Sequence, residues 1–316
     1  MMRRQVLVTG VSSGLGRAIA AELDEAGFDV WGTVRTEADA AALRRDGDRI
    51  RPVLLELTDP ESVERAAGRL RSSGPLYAVI NNAGAAVPTP LEHADPAMIT
   101  ELLATNVVGP LRLTQELLPA LRQARHSYGD ARVIFVGSLI TAVPLPLFGP
   151  YALTKHALVG LTDSLRAELA PERIRVSLIE PGVFATRIWL RAHDQVLRLP
   201  RHRSDDRYRA LLDAAPTVAL LAHRYGADPA AMAAAVARAL TRSAPPARQF
   251  VPGHARLVAA ATRLLPTRVL DAGAAALGTD RGAAGLRALA RRLLRLRRAR
   301  GARQAARDRA REAARA

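Results

Sequence analysis

The sequence predicts an α/β protein built on a doubly wound parallel sheet with helices on both faces. Along most of the chain, short apolar runs rich in β-branched residues alternate with helical segments of ten or more residues. This alternation is typical of βαβ units, and apolar runs without polar gaps are typical of strands buried on both faces. A glycine-rich turn directly after the first run points to the same fold.

The individual elements follow from local patterns in the sequence. Apolar runs predict seven strands, at 5–9, 30–34, 53–57, 76–80, 132–137, 174–179 and 249–251. Helical periodicity between these runs predicts helices at 15–26, 37–46, 60–73, 97–124, 150–170 and 229–242. The crossovers between parallel strands are expected to be right-handed.

The pattern loosens after Gly182. Residues 184–226 mix apolar and charged side chains with several prolines, which predicts a mobile flap over a site. We therefore expect one domain over residues 1–253 and a helical, basic extension over 254–316. In the extension, an apolar stripe is formed by Leu286, Leu289, Leu293 and Leu296.

Composition limits the class of protein. The 316 residues include no cysteine, which excludes disulfides, a thiolate nucleophile and sulfur-ligated metals. The seven histidines form no metal-binding spacing, so no metal is expected. The N-terminus lacks the apolar core of a signal peptide, and no apolar run is long enough to span a bilayer. A soluble, cytoplasmic protein is expected.

Most of the positive charge lies in the C-terminal tail. Of the net charge of +16, residues 286–316 carry twelve arginines against Asp308 and Glu312. This tail could be a solvated extension, or an amphipathic helix with weak contact to anionic lipid at the membrane periphery. Charge alone would also give non-specific nucleic-acid affinity, but the tail has no aromatic residue to stack on bases, so no specific nucleic acid is expected.

The glycine-rich turn predicts a dinucleotide site of the Rossmann type. It joins the first strand to the first helix, where glycines allow a tight turn and a close approach of backbone to pyrophosphate. The residues expected to contact the cofactor here are Thr9, Gly10, Ser12, Ser13, Gly14, Leu15 and Gly16.

The end of the second strand indicates which dinucleotide binds. An acid at this point would bind a ribose 2′-hydroxyl, but Asp29 lies at the start of the strand and Arg35 follows its end. A guanidinium pairs with a 2′-phosphate, so NADP(H) is favoured over NAD(H). A solvated arginine without this role is the alternative.

Tyr151 and Lys155 predict acid/base chemistry. Lys155 is the only lysine among 46 basic residues, and it follows Tyr151 at the helical spacing i, i+4. A cation about 4 Å from a phenol at an effective dielectric near 20 contributes about 4 kcal/mol. That interaction would lower the pKa of Tyr151 from about 10 to roughly 7.

These residues resemble the short-chain dehydrogenase/reductase family over residues 4 to about 252. Thr9-Gly10-x-x-x-Gly14-x-Gly16 matches its cofactor loop, and Asn81-Asn82-Ala83-Gly84 follows the fourth strand as in the family. The catalytic tetrad is matched by Asn106, Ser138, Tyr151 and Lys155. The nicotinamide-side loop is matched by Pro181, Gly182, Val183 and Thr186. Residues 176–182 are similar to the hydroxysteroid and retinol dehydrogenase branch.

Two positions depart from the family pattern. Glu56-Leu57 stands where the family usually has Asp and an apolar residue against the adenine, so Glu56 and Leu57 are cofactor contacts by position only. Gly137 replaces a frequent serine before Ser138, which we expect to matter little.

The resemblance implies a role for each tetrad residue. Tyr151 would exchange a proton with substrate, Ser138 would stabilise charge on the reacting oxygen, and Lys155 would also bind the nicotinamide ribose. Pro110 has no N–H for the carbonyl of Asn106, so we expect a helix kink there. The family role of that carbonyl is to hold a water in a proton relay; the alternative is a simple bend around the core.

The substrate region is apolar. Loops near the tetrad are rich in apolar side chains, of which Val143, Phe184 and Trp189 are expected to line the substrate site. We therefore expect an NADP(H)-preferring oxidoreductase that interconverts a small apolar alcohol and its ketone or aldehyde, with steroid, retinoid or long-chain substrates suggested by analogy alone. The alternatives are a catalytically quiet dinucleotide sensor and a membrane-associated interaction protein that uses the tail. The sequence leaves open whether the protein forms a homo-oligomer.

Overall fold

A seven-stranded parallel sheet forms the centre of the part of the chain that the structure describes. The structure is a computed structural model, and it describes residues 3–45, 49–199 and 208–277 together with 279, 281–282, 284–285 and 288. The strands are β1 (Gln5–Val8), β2 (Asp29–Val34), β3 (Arg51–Leu54), β4 (Leu76–Asn81), β5 (Ala131–Val136), β6 (Ile174–Pro181) and β7 (Arg248–Val251).

Eleven α-helices accompany the sheet within the same described residues. They are α1 (Gly14–Glu25), α2 (Glu37–Arg45), α3 (Pro60–Ser72), α4 (Pro96–Leu103), α5 (Gly109–Tyr128), α6 (Gly149–Leu169), α7 (Ile188–Arg198), α8 (Arg209–Tyr225), α9 (Pro229–Thr241), α10 (Gly253–Leu264) and α11 (Thr267–Leu277). None of the helices that the structure describes is long and apolar enough to cross a membrane.

The strand order creates a crevice at one edge of the sheet. The order is β3-β2-β1-β4-β5-β6-β7, with every neighbouring pair parallel. The chain reverses its direction of winding between β1 and β4, and ligands of such sheets bind outside the carboxyl ends of the strands at that point. The predicted doubly wound fold is confirmed.

Two apolar layers hold the helices against the sheet. On one face, α1 and α9 pack on alternate strand residues such as Val6, Val8 and Ile80. On the other face, α3, α5 and α6 cover Leu7, Val79 and their neighbours. Because both faces are covered, the strands are apolar on both sides, as the sequence indicated.

The segment predicted as one long helix at 97–124 is interrupted. A π-helical turn at Ala104–Val108 separates α4 from α5, and the N–H of Gly109 donates to the carbonyl of Ala104, five residues earlier. The expected kink near Pro110 therefore takes the form of a π turn, a feature that often lies at functional sites.

The predicted flap is helical where the structure describes it. Residues 184–226 contain α7 and α8, which pack on each other, and residues 200–207 lie outside the described part. Leu147 is buried together with Val196 and Leu212, so the pair of helices is attached to the loop before α6. In the C-terminal extension, the predicted stripe of Leu286, Leu289, Leu293 and Leu296 lies outside the described residues.

Candidate active site

The glycine-rich turn forms a tight cradle at the start of α1. Gly10 and Gly14 have φ angles of +73° and +63°, which side-chain-bearing residues rarely adopt. A Cβ on Gly16 would lie 2.2 Å from the carbonyl oxygen of Gly10, so no larger residue fits there. Ser13 caps α1 without a side-chain hydrogen bond, which leaves the first N–H groups of the helix available to an anion.

Thr9 and Asn82 join the ends of β1 and β4. The hydroxyl of Thr9 accepts hydrogen bonds of 2.9 Å from the backbone N–H groups of Asn82 and Ala83. The side-chain amide of Asn82 donates to the carbonyl of Thr9 at 2.9 Å. These bonds fix the loop that carries Gly84 next to the cradle. Of the other predicted contacts in the turn, Ser12 is exposed and Leu15 packs on the core.

Arg35 lines an open cavity after the end of β2. It is exposed, directly follows β2, and shares a cavity of about 440 Å³ with three further arginines and with the acids Glu37 and Glu56. Asp29 lies at the opposite end of β2, where it pairs with Arg51 at 3.0 Å. The end of β2 that faces the dinucleotide crevice thus carries a cation and no acid.

Glu56 and Leu57 have structural partners of their own. The carboxylate of Glu56 accepts from the N–H and hydroxyl of Thr58 at 3.3 and 3.0 Å, which closes the turn after β3. Leu57 is 7% exposed and belongs to the core. For both residues, the observed contacts are within the protein, and a contact with adenine stays a prediction.

Tyr151, Lys155 and Ser138 come together at the ends of β5 and α6. The Nζ atom of Lys155 lies 5.6 Å from the centre of the Tyr151 ring and donates to the carbonyl of Val136 at 2.9 Å. Lys155 is buried, and Ser138 lies close enough to Tyr151 for its hydroxyl to lower the pKa of the phenol. The tyrosine, the ammonium and the serine therefore form one cluster.

Asn106 connects the π turn to this cluster. Its side-chain oxygen accepts from the N–H of Ala85 at 2.8 Å, and its amide donates to the carbonyl of Ala85 at 2.8 Å and to Thr154 at 3.0 Å. A Cβ on Gly84 would lie 3.1 Å from the Asn106 oxygen and 3.8 Å from the Lys155 Nζ atom. The Asn106 side chain thus fixes the loop after β4 against α6.

The expected pKa of Tyr151 is wrong for this environment. Burial raises the pKa of Tyr151 to about 12, and the hydrogen bond with Ser138 lowers it only in part. Burial also lowers the pKa of Lys155 to about 8, against the opposing field of Glu180. The i, i+4 spacing predicts a cation beside the phenol, but it does not reveal the loss of water around both groups, and this desolvation dominates the pKa of Tyr151.

Two aromatic side chains lie next to the tetrad, Phe148 from the loop before α6 and Trp189 from the flap. Phe148 makes edge contacts with the rings of Tyr151 and Trp189, at centroid distances of 6.5 and 6.4 Å. Val143 is partly buried in the loop between Ser138 and α6. Phe184, in contrast, is 2% exposed and packs within the core, and its contact with substrate stays a prediction.

The loop after β6 lies against the cradle. Thr186 is buried, and a Cβ on Gly14 would be 3.5 Å from the Thr186 Cβ. The N–H of Gly182 donates to the carbonyl of Val251 at 2.7 Å, Pro181 ends β6, and Val183 is 46% exposed. The segment predicted to contact the nicotinamide side is therefore next to the glycine-rich turn.

Two residues of the cluster were missed from the sequence. Phe148 stands three residues before Tyr151, and Thr154 stands directly before Lys155 and accepts from Asn106. The position of Phe148 at the start of an apolar helix was the available signal. Nothing in the sequence distinguished Thr154 from any other helix residue.

The arrangement fits a nicotinamide dinucleotide. The glycine cradle is closed to larger side chains, the N–H groups at the start of α1 are available, and Lys155 and Tyr151 lie at the same edge of the sheet. Within the described residues, no group of three or more histidine or acidic side chains could hold a metal ion.

Comparisons with known proteins agree with this geometry. Residues 4–196 match the family model described as short chain dehydrogenase. The chain is 33% identical over 273 residues to the uncharacterized oxidoreductase YbbO of Escherichia coli (strain K12), covering 86% of this chain and 94% of that protein. It is 32% identical over 283 residues to retinol dehydrogenase 5 of Mus musculus, covering 84% and 86%.

A solved structure shows the same fold. A short chain dehydrogenase from Burkholderia cenocepacia J2315, in complex with NADP, superposes with a TM-score of 0.65 at 26% identity, covering 86% of this chain and 97% of that chain. Fold, family model and relatives agree over most of the chain. The protein therefore belongs to the short-chain dehydrogenase/reductase family, in a retinol dehydrogenase-like branch, and is an NAD(P)-dependent oxidoreductase.

Proposed function

We propose that the protein is an NADP(H)-preferring enzyme that interconverts an apolar alcohol and its ketone or aldehyde. The observation that carries this proposal is the cluster of Tyr151, Ser138 and Lys155 between the glycine cradle and the aromatic flap. When bound, the dinucleotide supplies or accepts the hydride of the reaction. The protein contributes orientation, a proton and electrostatic stabilisation.

Tyr151 is the proposed acid/base residue. With its pKa raised to about 12, the phenol keeps its proton at neutral pH and can give it to a carbonyl oxygen. The Ser138 hydroxyl, within hydrogen-bonding reach of the phenol, would donate to the same oxygen and stabilise its developing charge.

Lys155 and Asn106 are proposed to support Tyr151. The Lys155 ammonium would favour loss of the proton from the neighbouring phenol and would also bind the nicotinamide ribose. Asn106 fixes the loop after β4, and the π turn around it supports a role for its carbonyl in a proton relay. Ser138, Tyr151, Lys155 and Asn106 are thus proposed as one catalytic unit.

The proposed cofactor contacts follow the edge of the sheet. The pyrophosphate would lie on the cradle and the start of α1, and the nicotinamide side against the loop after β6. The proposed contacts are Thr9, Gly10, Ser12, Ser13, Gly14, Leu15, Gly16, Arg35, Glu56, Leu57, Asn82, Ala83, Gly84, Tyr151, Lys155, Pro181, Gly182, Val183 and Thr186. The preference for NADP(H) is supported by exposed Arg35 after β2 and by the NADP complex of the Burkholderia protein.

The substrate proposal rests on the apolar flap. Phe148 and Trp189 form an aromatic contact next to Tyr151, with Val143 in the adjacent loop. Apolar walls with a few polar groups are typical of sites for apolar small molecules. Similarity to retinol dehydrogenase 5 supports retinoid-like, steroid-like or long-chain carbonyl compounds as the class to assay first.

The division at residue 253 and the lipid contact stay proposals. On α10, Leu257 and Leu264 are 72% and 85% exposed and lie seven residues apart, with Arg256 and Arg263 beside them. An apolar ridge with flanking arginines is suited to the surface of an anionic membrane. We propose that residues 1–253 catalyse the reaction and that the extension makes weak contact with lipid. Assembly as a homo-oligomer is a separate proposal.

Tyr151→Phe tests the acid/base role of Tyr151. It also distinguishes an enzyme from the alternative, a dinucleotide sensor without catalytic activity. We expect reduction of a preferred apolar ketone to fall by at least about a hundredfold, because the proton donor is lost. Dinucleotide affinity should stay within about twofold, since general acid catalysis is separate from cofactor binding. The measurement is consumption of reduced cofactor with a panel of steroid, retinoid and aliphatic carbonyls. Tyr128→Phe, which removes a hydroxyl on α5, is the control; full activity in the Tyr151 variant would disprove the role.

Arg35→Ala tests the cofactor preference. We expect the dissociation constant for NADPH to rise by roughly tenfold to a hundredfold, because a charged hydrogen bond is lost, while that for NADH stays nearly unchanged. The matched control is Arg65→Ala, in the same cavity, whose guanidinium already pairs with Asp59 and Glu61 at 3.6 and 3.3 Å. Equal effects on both cofactors, or none, would contradict the assignment.

Vesicle sedimentation tests the lipid contact. The full chain should sediment with vesicles that contain phosphatidylserine, and less so with phosphatidylcholine alone or at high salt. Replacing both Leu257 and Leu264 by glutamate should abolish most of this binding. Leu220→Glu, at an exposed leucine of α8, is the control. Equal sedimentation of the double variant and the wild type would show that the ridge on α10 is not the contact.

A further inference from the structure

Glu180 is a fully buried carboxylate next to the tetrad that the mechanism above does not use. Its exposed fraction is 0%, and it lies near the end of β6, directly before Pro181. Arg248, at the start of β7, binds it with both guanidinium arms, at 2.5 Å from Nε and 3.1 Å from Nη2. The carboxylate is therefore held in one orientation by a charge-assisted, two-point contact.

Thr141 connects this carboxylate to the Ser138 loop. Its hydroxyl lies 2.5 Å from the Glu180 oxygen and 3.1 Å from the backbone carbonyl of Ser138. Arg248 also donates to the Thr141 oxygen, at 3.1 Å. The short helical turn that begins at Ser138 is thus tied through Thr141 to the buried ion pair.

Gly137 provides the space for this arrangement. A Cβ at Gly137 would lie 2.7 Å from the Glu180 Cγ atom and 3.2 Å from Leu178. A serine, which is frequent in the family before the catalytic serine, could not occupy the position without displacing the Glu180 side chain. The departure at Gly137, expected to matter little, is therefore matched to the carboxylate behind it.

The same carboxylate acts on Lys155 through space. Burial lowers the pKa of Lys155, and the negative charge of Glu180 raises it. Two other ionisable groups border this pair: the neutral phenol of Tyr151 from α6, and the Arg248 guanidinium from β7, which cancels part of the field of Glu180. Glu180 is the carboxylate whose charge favours the ammonium form of Lys155.

A purely stabilising role would not require these contacts. A buried ion pair contributes little net stability compared with apolar residues of the same volume, because both charges lose water. This pair is connected to the Ser138 backbone through the Thr141 hydroxyl, and the charge of Glu180 acts on Lys155. Both contacts lead to residues of the proposed catalytic cluster.

We propose that Glu180 is a positioning residue: clamped by Arg248 in the space left by Gly137, it orients the Ser138 loop through Thr141. The catalytic role inferred for Glu180 rests on the proposed function. The effect of the Glu180 charge on Lys155 can be measured without turnover, so this effect and the proposed function can be disproved separately.

Glu180→Gln tests the charge effect. The variant keeps the shape of the side chain and removes its charge, so Lys155 should lose its proton at lower pH than in the wild type. We expect the pH midpoint of the Lys155 titration to fall by roughly half a unit to one unit. The effect is smaller than that of a carboxylate without a cationic partner, because Arg248 offsets part of the negative charge. Since Lys155 is the only lysine, ε-carbon-labelled lysine gives one NMR signal to titrate in the full-length protein.

Glu172→Gln is the matched control for this titration. Glu172 pairs with Arg122 at 2.6 Å on the surface, so its loss should leave the Lys155 midpoint unchanged. In carbonyl reduction, the alkaline limb of the rate should move to lower pH in Glu180→Gln by the same amount as the NMR midpoint. An unchanged or raised midpoint in folded Glu180→Gln overturns the charge effect, whatever the activity.

Thr141→Val tests the orientation of the Ser138 loop and decides the matter if Glu180→Gln fails to fold. It keeps the size of the side chain and the Glu180 charge, so the Lys155 midpoint should stay near that of the wild type. The turnover number should fall by roughly tenfold, because Ser138 loses its position, while the KM for the dinucleotide stays the same. Wild-type turnover in Thr141→Val would show that Thr141 does not orient Ser138, and would overturn the proposal.

Discussion

The hydrogen bond from the Lys155 ammonium to the carbonyl of Val136 is the interaction on which the site depends. At 2.9 Å, it joins α6 to the end of β5 and places a buried cation between the tyrosine of the same helix and the serine loop of the strand. Burying an ammonium without partners costs free energy. The Val136 carbonyl and the negative charge of Glu180 together stabilise the ammonium at this position. Elsewhere the chain uses arginine, whose guanidinium is a planar fork and not a compact point charge.

The neighbouring elements are arranged around this bond. Asn106 fixes the loop after β4 beside Lys155, and Thr9 and Asn82 fix the same loop to the glycine cradle. The polar frame is thus continuous from the pyrophosphate end to the catalytic end. Apolar side chains come from two segments, Phe148 from the loop before α6 and Trp189 from the flap.

Much of this could be predicted from sequence, because strands, glycine turns and the Tyr151–Lys155 spacing are local patterns. What could not be predicted depends on tertiary packing. Asn106, in the π turn, makes hydrogen bonds to Ala85 and to α6 that no local pattern reveals. Phe184 is buried because residues of the sheet and of α9 pack around it. The pKa of Tyr151 was misjudged because burial is not visible in sequence. The match of Gly137 to Glu180 joins residues from different strands, and no local pattern reveals it.

The requirement for an ammonium at position 155 is the central claim, and Lys155→Arg tests it most directly. The variant keeps the positive charge but replaces a compact donor with a planar one, so we expect it to lose the present geometry between the Val136 carbonyl and the Tyr151 ring. We expect a folded protein in which single-turnover reduction of an apolar ketone by bound NADPH is at least about a hundredfold slower. A rate equal to that of the wild type would contradict the account, because charge alone would then suffice.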